Sequence, residues 1–318
     1  GPGTLDRRCE LFRPDIAVLT VIGREHYSAY KSHDLIATEK AKVVLAPPAD
    51  GIAVLNADDP LVRTIGARTT RRVIWFGRDP TATLRLVEAR SCWPEPLTLV
   101  VEHAGERHTV RTTLHGQHLA VPVLAALGVA VAAGLPLATA IPVVERFQGG
   151  DGRMHAVAAP DGVTWICDDW KSPAWSFAIP FEFLRDATAT RKVAIVGTIS
   201  DTHGDSSRNY RNFGRIARAA AELVVFVGPL AHRALRARTA PDDASIQAFP
   251  TAREAAAFLR SELRAGDLVL LKASHKSDHL MRVRLDRDAP VSCWRERCER
   301  IVRCDKCPEL RAATGREA

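Results

Sequence analysis

The sequence predicts an α/β protein of two domains, a partial P-loop-type central domain followed by a Rossmann-like C-terminal domain. Three observations carry the two-domain α/β part of that prediction. Strand-like and helix-like segments alternate along most of the 318 residues. Hydrophobic residues make up 46% of the chain and charged residues 25%, the balance of a protein that buries a real core. At residues 148–153, "QGGDGR", three glycines and two charges interrupt the pattern and mark a linker. The expected boundaries are a first domain over 1–149, a second over 150–288 and a cysteine-rich tail over 289–318.

In chain order, "PDIAVLTVI" (14–22) reads as a buried strand, apolar throughout and β-branched at its end. "SHDLIATEKAKVVLA" (32–46) has helical spacing, with Ser32 as N-cap. "GIAVLN" (51–56) and "RRVIWFG" (71–77) are short buried strands. Residues 83–89, 97–103 and 107–114 alternate in polarity and are separated by turn residues, the pattern of three half-buried strands. The Ala-rich stretch 118–134 is a buried helix despite Pro122, and 137–147 is a second. Beyond the linker, strands are expected at 162–169, 191–197, 223–228 and 267–274, and helices at 173–186, 211–221 and 252–263. That alternation predicts βαβ units around a mostly parallel sheet.

No apolar run approaches the roughly 18–20 residues that span a bilayer, and no basic-then-apolar leader opens the chain. A cytoplasmic protein without a membrane partner is expected. The net charge of +7 is scattered and interleaved with Asp and Glu. Without a dense Lys/Arg run carrying aromatics, a nucleic-acid partner is the less supported reading, and an anionic small-molecule or peptide substrate suits the charge as well. Of seven cysteines, Cys9, Cys92 and Cys167 are isolated, and the odd count argues against a disulfide framework.

In open α/β sheets, ligands bind beyond the carboxyl ends of strands. Five strand ends here carry suggestive groups: His26; Asn56, Asp58 and Asp59; Asp168, Asp169 and Lys171; Asp201, His203 and Asp205; Lys272, Ser274, His275 and Lys276. Any one of these acids reads equally well as a helix N-cap. Together they point to a shared nucleotide or phosphate site.

The run "RPDIAVLTVIGREHYSAYKSHDLIATEKAKVVLAPPADGIAVLNADDP" resembles the central domain of the Mur ligase superfamily. That superfamily includes the peptidoglycan peptide ligases, folylpolyglutamate synthase and cyanophycin synthetase. "LHGQHLAVPVLAALGVAVAAGL" is similar to the family's Gly-x-His helix, and "GRMHAV" to the Gly-Arg-Met that opens its C-terminal domain. "CDDWKSPAWS" and "GDLVLLKAS" resemble stretches of the D-alanyl-D-alanine-adding branch. The resemblance implies ATP-dependent amide formation through an acyl phosphate, with ATP and Mg²⁺ as cofactors. It implies that His26, Lys40 and Lys272 are catalytic. His26 would contact Mg²⁺, and Lys40, with Lys42 as the alternative, would carry a carbamate that ligates the metal. It also implies that Asn56 and Asp59 lie near adenine, Arg153 near phosphate or ribose, Asp168 or Asp169 on the ribose hydroxyls, and Lys272 near the γ-phosphate or the acidic substrate.

The sequence departs from that family in several places. It holds no Gly-x-x-Gly-Lys-Thr/Ser phosphate loop. "GPGTLDRR" at the start reads as the family's stretch before the first strand here, or as a protease-site remnant. The chain alone is therefore expected not to hydrolyse ATP. It would need a P-loop-bearing partner chain or a missing N-terminal half, or else be a homologue that lost the loop. Gly116-Gln117-His118-Leu119, Trp170-Lys171-Ser172-Pro173 and Ala273 also differ from the family pattern, which leaves the donor acid and acceptor amine open. The rival reading is a non-catalytic nucleotide- or protein-binding module that keeps the fold.

Beyond the resemblance, Cys293, Cys298, Cys304 and Cys307 have C-x4-C-x5-C-x2-C spacing. Four thiolates at such spacing suit a tetrahedral structural zinc, and the last pair is a usual half-site. The alternative is a basic amphipathic terminal helix with incidental cysteines.

Overall fold

The structure is a computed structural model that describes residues 2–24, 27–30, 32–45, 50–298, 300 and 302–312. The chain forms two compact units that meet in sequence at Gln148 and Gly149, within the glycine-rich stretch.

The first unit contains α1 (Thr4–Phe12), β1 (Ile16–Leu19), α2 (Tyr27–Tyr30), α3 (His33–Leu45), β2 (Ile52–Asn56), α4 (Pro60–Gly66) and β3 (Arg72–Gly77). Then follow β4 (Leu84–Cys92), β5 (Glu95–His103), β6 (Glu106–Arg111), α5 (Ala120–Ala132) and α6 (Leu137–Glu145). Among the described residues its strands form one sheet in chain order, β1 to β6. β1 to β4 run parallel, and β4, β5 and β6 are antiparallel. Side chains alternate across the pleat, so both faces are filled. Ala53 and Leu55 pack with Ile36, Val44, Val62 and Ile65 of α3 and α4. Val54, Ile74 and Phe76 pack with Leu124 and Leu127 of α5. Ser32 caps α3 by accepting from the amides of Asp34 (3.1 Å) and Leu35 (3.3 Å).

The second unit contains β7 (His155–Ala158), β8 (Thr164–Asp168), α7 (Ala178–Asp186), β9 (Arg191–Val196), α8 (Ser206–Arg218) and β10 (Leu223–Val227). It continues with β11 (Ile246–Phe249), α9 (Ala252–Glu262), β12 (Asp267–Lys272), α10 (His275–Asp278) and α11 (Met281–Asp288). The sheet order is β11-β10-β9-β12-β8-β7, parallel except for β7. The chain winds outward from β9 to β11, then returns to insert β12 between β9 and β8. The carboxyl ends of β8, β12 and β9 therefore lie side by side, and that crossover positions the candidate site. One face of this sheet packs Trp165, Val193, Val225 and Val269 against Ala255 and Leu259 of α9 and Val283 of α11. On α7, α8 and their approach, Phe177, Phe181 and Phe213 form a tilted aromatic group.

The sequence patterns do not show α1, β7 or β11. β7 and β11 are four-residue edge strands with half-exposed side chains, so pairing with a neighbour defines them rather than periodicity. The segment expected as one helix over 173–186 starts as a 3-10 turn, Ala174–Ser176, before α7. Two glycines are steric requirements. A side-chain carbon on Gly197 would stand 2.3 Å from the Asp278 carboxylate. Gly152 sits at φ +69 and would meet Asp169 Oδ1 at 2.8 Å.

Trp165 is fully buried in the centre of the second sheet, and its indole N–H has no hydrogen-bond partner among the described residues. Its contribution is therefore packing without a polar component. Trp165→Ala should cost about 3–5 kcal/mol, as large aromatic truncations do. Trp165→Phe should cost much less, about 1.5 kcal/mol or below, because it also removes the unsatisfied donor. Urea unfolding followed by circular dichroism measures both.

Candidate functional site

In the first unit the groups of interest surround the loop that leaves β1. Asn56, at the end of β2, donates to Thr20 O at 2.8 Å, and its Oδ1 accepts from Asp58 N at 3.0 Å. Asp59 accepts from Ile22 N at 2.9 Å with one oxygen and caps α4 through Leu61 N and Val62 N with the other. His33 on α3 meets Ile22 O at 2.7 Å, and Lys40 donates to Val21 O at 3.2 Å. Four side chains from three segments thus pin residues 20–22, the approach to the expected His26. His26 itself lies outside the described residues. Asn56 and Asp59, which the resemblance puts near adenine, use both of their oxygen or amide groups on this loop and on α4.

The two candidate lysines of α3 have different surroundings. Lys42 is paired with Asp6 at 2.6 Å and Glu39 at 2.8 Å. Glu39 also accepts from the amides of Gly3 (3.1 Å) and Leu5 (3.0 Å), which fastens α1 onto α3. Burial works to raise the Glu39 carboxyl. Lys42 and the two amides outweigh it and hold Glu39 at about 2. The hydrogen bonds that Lys42 donates to Asp6 and Glu39 in turn push its ammonium up. Lys40 instead points to the strand-end loop.

In the second unit the expected residues of β8 and β12 come together. Lys272, 3% exposed, donates to Asp168 at 2.7 Å and to Lys171 O at 2.8 Å. Asp169 is 1% exposed, and burial pushes its carboxyl up, opposed by Arg303 at 3.9 Å. The turn at Gly152 accepts from Trp170 N at 3.1 Å, so Arg153 follows directly on the segment beside Asp169. The Trp170 ring stacks on His275 at 5.6 Å and 7°. Asp278, on α10, accepts from Thr198 N at 2.8 Å, from the Thr198 hydroxyl and from Ser274 N at 3.0 Å. Burial nevertheless pushes the Asp278 carboxyl up. These contacts join the ends of β9 and β12 in one hydrogen-bonded frame.

A cavity of about 450 Å³ opens beside this frame, with Thr198, Gly228, Thr251, Asp278, Trp294 and Arg297 in its wall. Sequence reasoning missed Thr198, Asp278 and Arg303. Asp278 falls in a short helix just beyond the strand-end group at 272–276, and Arg303 stands among cysteines in the tail. Nothing in their local sequence separates them from surface residues. Asp201, His203 and Asp205 lie in the loop after β9, where Asp205 caps α8 through Ser207 N and Arg208 N.

The four tail cysteines are free thiols, and all four line one small cavity against α11 with His279 and Arg282. Burial, with the three neighbouring thiols, pushes the Cys304 thiol up to about 12. Among the described residues the side chains as they stand form no group of three or more His, Cys, Asp or Glu that could hold a metal ion. The alternative of a terminal helix does not fit. The described tail is irregular apart from a 3-10 turn, Cys304–Lys306.

Glu39 provides an acid-limb test. Its folded value of about 2 lies below the ordinary 4.5, so its stabilisation is complete above about pH 4.5 and is lost as the pH falls towards 2. Urea midpoints of the native chain should therefore drop across that interval more steeply than those of Glu39→Gln. Parallel curves would show that the Glu39 contacts do not stabilise the fold.

The chain matches two family models, the Mur ligase middle domain over residues 1–130 and the Mur ligase glutamate ligase domain over residues 152–275. Neither reaches the cysteine-rich tail. It is 30% identical over 308 residues to the UDP-N-acetylmuramoyl-tripeptide--D-alanyl-D-alanine ligase of Mycobacterium tuberculosis (strain CDC 1551 / Oshkosh), covering 86% of this chain and 58% of that protein. It is 30% identical over 215 residues to the UDP-N-acetylmuramate--L-alanine ligase of Clavibacter michiganensis subsp. michiganensis (strain NCPPB 382), covering 67% of this chain and 43% of the relative. The chain thus spans about six-tenths or less of the length of these relatives. In fold it is similar to MurF from Acinetobacter baumannii, with a TM-score of 0.80 and 21% identity over 90% of this chain and 62% of that one. It is likewise similar to the MurF ligase from Thermotoga maritima in complex with ADP, with a TM-score of 0.74 and 21% identity over 91% and 64%. The two family matches follow one another in the order of the two compact units, and the chain belongs to the Mur ligase family.

Proposed function

We propose that this chain supplies the nucleotide-handling and amide-forming part of an ATP-dependent, ADP-forming ligase that joins a carboxylate to an amine. The observation that carries the reading is the Lys272–Asp168 pair at adjacent strand ends, in a chain of this family. In such a reaction the carboxylate oxygen attacks the γ-phosphorus and ADP leaves. The amine then attacks the acyl carbon, inorganic phosphate leaves, and the amine gives up a proton.

Lys272 is a fixed, buried cation whose direction is set by Asp168 and the Lys171 carbonyl. A preorganised cation of this kind stabilises charge that develops on phosphate oxygens without reorganisation at the moment of reaction. Asp168 is the better partner for ribose hydroxyls, since Asp169 is buried facing Arg303. Arg153 is exposed on the turn beside them, suited to a phosphate or ribose contact. In the first unit, Lys40 is the better carbamylation candidate. Carbon dioxide adds to a neutral amine, and the two carboxylates around Lys42 hold that residue charged. The described residues offer Mg²⁺ no ready group of three ligands, and His26 lies outside them, so no step here is routed through the metal.

The sequence holds no phosphate loop, and the reading therefore includes a P-loop-bearing segment or partner chain. The open edge of β1 supports this. β1 has no strand on its outer side among the described residues, and Val18 on it and Val21 just after it are 36% and 41% exposed. Parallel sheets are normally covered. The absent loop also favours a second reading, a non-catalytic nucleotide-binding module with the same fold.

Turnover separates the two. With a P-loop-bearing segment supplied in cis or in trans, ADP should form only when a peptide carboxylate and an amine are both present. Lys272→Ala and Lys40→Ala should each then lower kcat/KM by about 10²–10³-fold. Nucleotide binding without ADP formation under those conditions would establish the binding module instead.

A further inference from the structure

We propose that Cys293, Cys298, Cys304 and Cys307 bind one Zn²⁺ as a structural site that closes the tail onto α11. The four thiols line a single cavity of about 20 Å³, room for one water-sized or ion-sized occupant. The backbone already closes the segment that carries them. Ser292 N and Cys293 N both donate to Leu310 O, at 3.0 and 3.2 Å, and Cys307 N donates to Cys304 O at 3.2 Å. The first and last cysteines are thereby brought to the same end of the loop, and the C-x2-C pair sits on one turn, as in a zinc half-site.

Charge around the cavity suits a zinc–thiolate centre. Four thiols that bind Zn²⁺ release four protons and leave a centre of net charge −2. Arg282 and Arg300 line the same cavity, and His279 Nδ1 lies 3.4 Å from Cys304 Sγ, placed to donate a hydrogen bond to a thiolate. Zinc binding would draw the four sulfurs inward across the cavity from their present positions.

The tail's own packing is too small to order it. Among the described residues its buried apolar side chains are Val291, Cys304 and Leu310, set against Met281 and Leu285 of α11. Three buried side chains offset little of the conformational entropy lost when the segment is ordered. Segments with so little core are held by a cross-link or a metal. The site also has a consequence for the frame above it. Arg303 lies between the second and third cysteines and faces Asp169, so the metal would fix that arginine in place.

The test uses the whole chain, purified without chelator. One zinc per chain is expected, with four thiols that react with a thiol reagent only after a chelator strips the metal. Reconstitution with Co²⁺ should give the absorption of a tetrahedral thiolate centre, and Cys304→Ser should weaken it together with zinc retention. Because that variant could fail to fold locally, the cobalt spectrum of the unsubstituted chain is the independent readout. Four freely reactive thiols with no bound metal would overturn the proposal. So would a mass two or four units low that reports disulfides in place of thiols.

Discussion

The second unit depends on one buried ion pair. Lys272 and Asp168 face each other in register on neighbouring strands, and the lysine is almost wholly removed from water. A lone ammonium at that depth would be neutralised or expelled. Here Asp168 and the Lys171 carbonyl accept its hydrogen bonds, and the loop after β8 is fixed by that demand. Removing one partner of such a pair leaves a charge uncompensated, which is why its loss is expected to exceed what the pair itself contributes.

The neighbouring contacts follow from the same constraint. The loop after β8 pairs with the loop after β9 through Ser172, Ala174 and Ser200. Asp278 then ties Thr198 to Ser274, and the absence of a side chain at Gly197 is what lets that carboxylate approach. Three strand ends become one rigid rim. In the first unit the corresponding task falls to contacts with the backbone: Asn56, Asp59 and His33 hold the loop after β1, and Lys40 brings an ammonium to it. Lys40 is the cation that this rim holds at the loop, through the Val21 carbonyl.

The tail lies outside the matched family segments, and its physical logic differs from that of the two sheets. The two sheets are held by continuous apolar cores on both faces. Among its described residues the tail has three buried apolar side chains, Val291, Cys304 and Leu310, and it is fastened mainly by arginines. Arg282 donates to the carbonyls of Cys293 and Arg295, and Arg303 faces Asp169. Polar fastening of this kind is directional, so it places residues well even where it stabilises little.

Much of the fold was readable from the chain itself. The apolar strands, the Ser32 cap, the helix over 120–132 and the glycine-rich junction all follow from local periodicity and turn chemistry, which act over a few residues. So did the presence of strand-end acids and cations, and of four cysteines at metal-like spacing. What the sequence left open was pairing. Asp168 and Lys272 are more than a hundred positions apart, Arg303 and Asp169 farther still, and Lys42 and Glu39 find their partners in Asp6 and in amides of Gly3 and Leu5. Periodicity carries no record of which distant groups meet. That is decided when β12 inserts between β8 and β9 and when α1 docks on α3, because only then do burial and charge fix each group's partner.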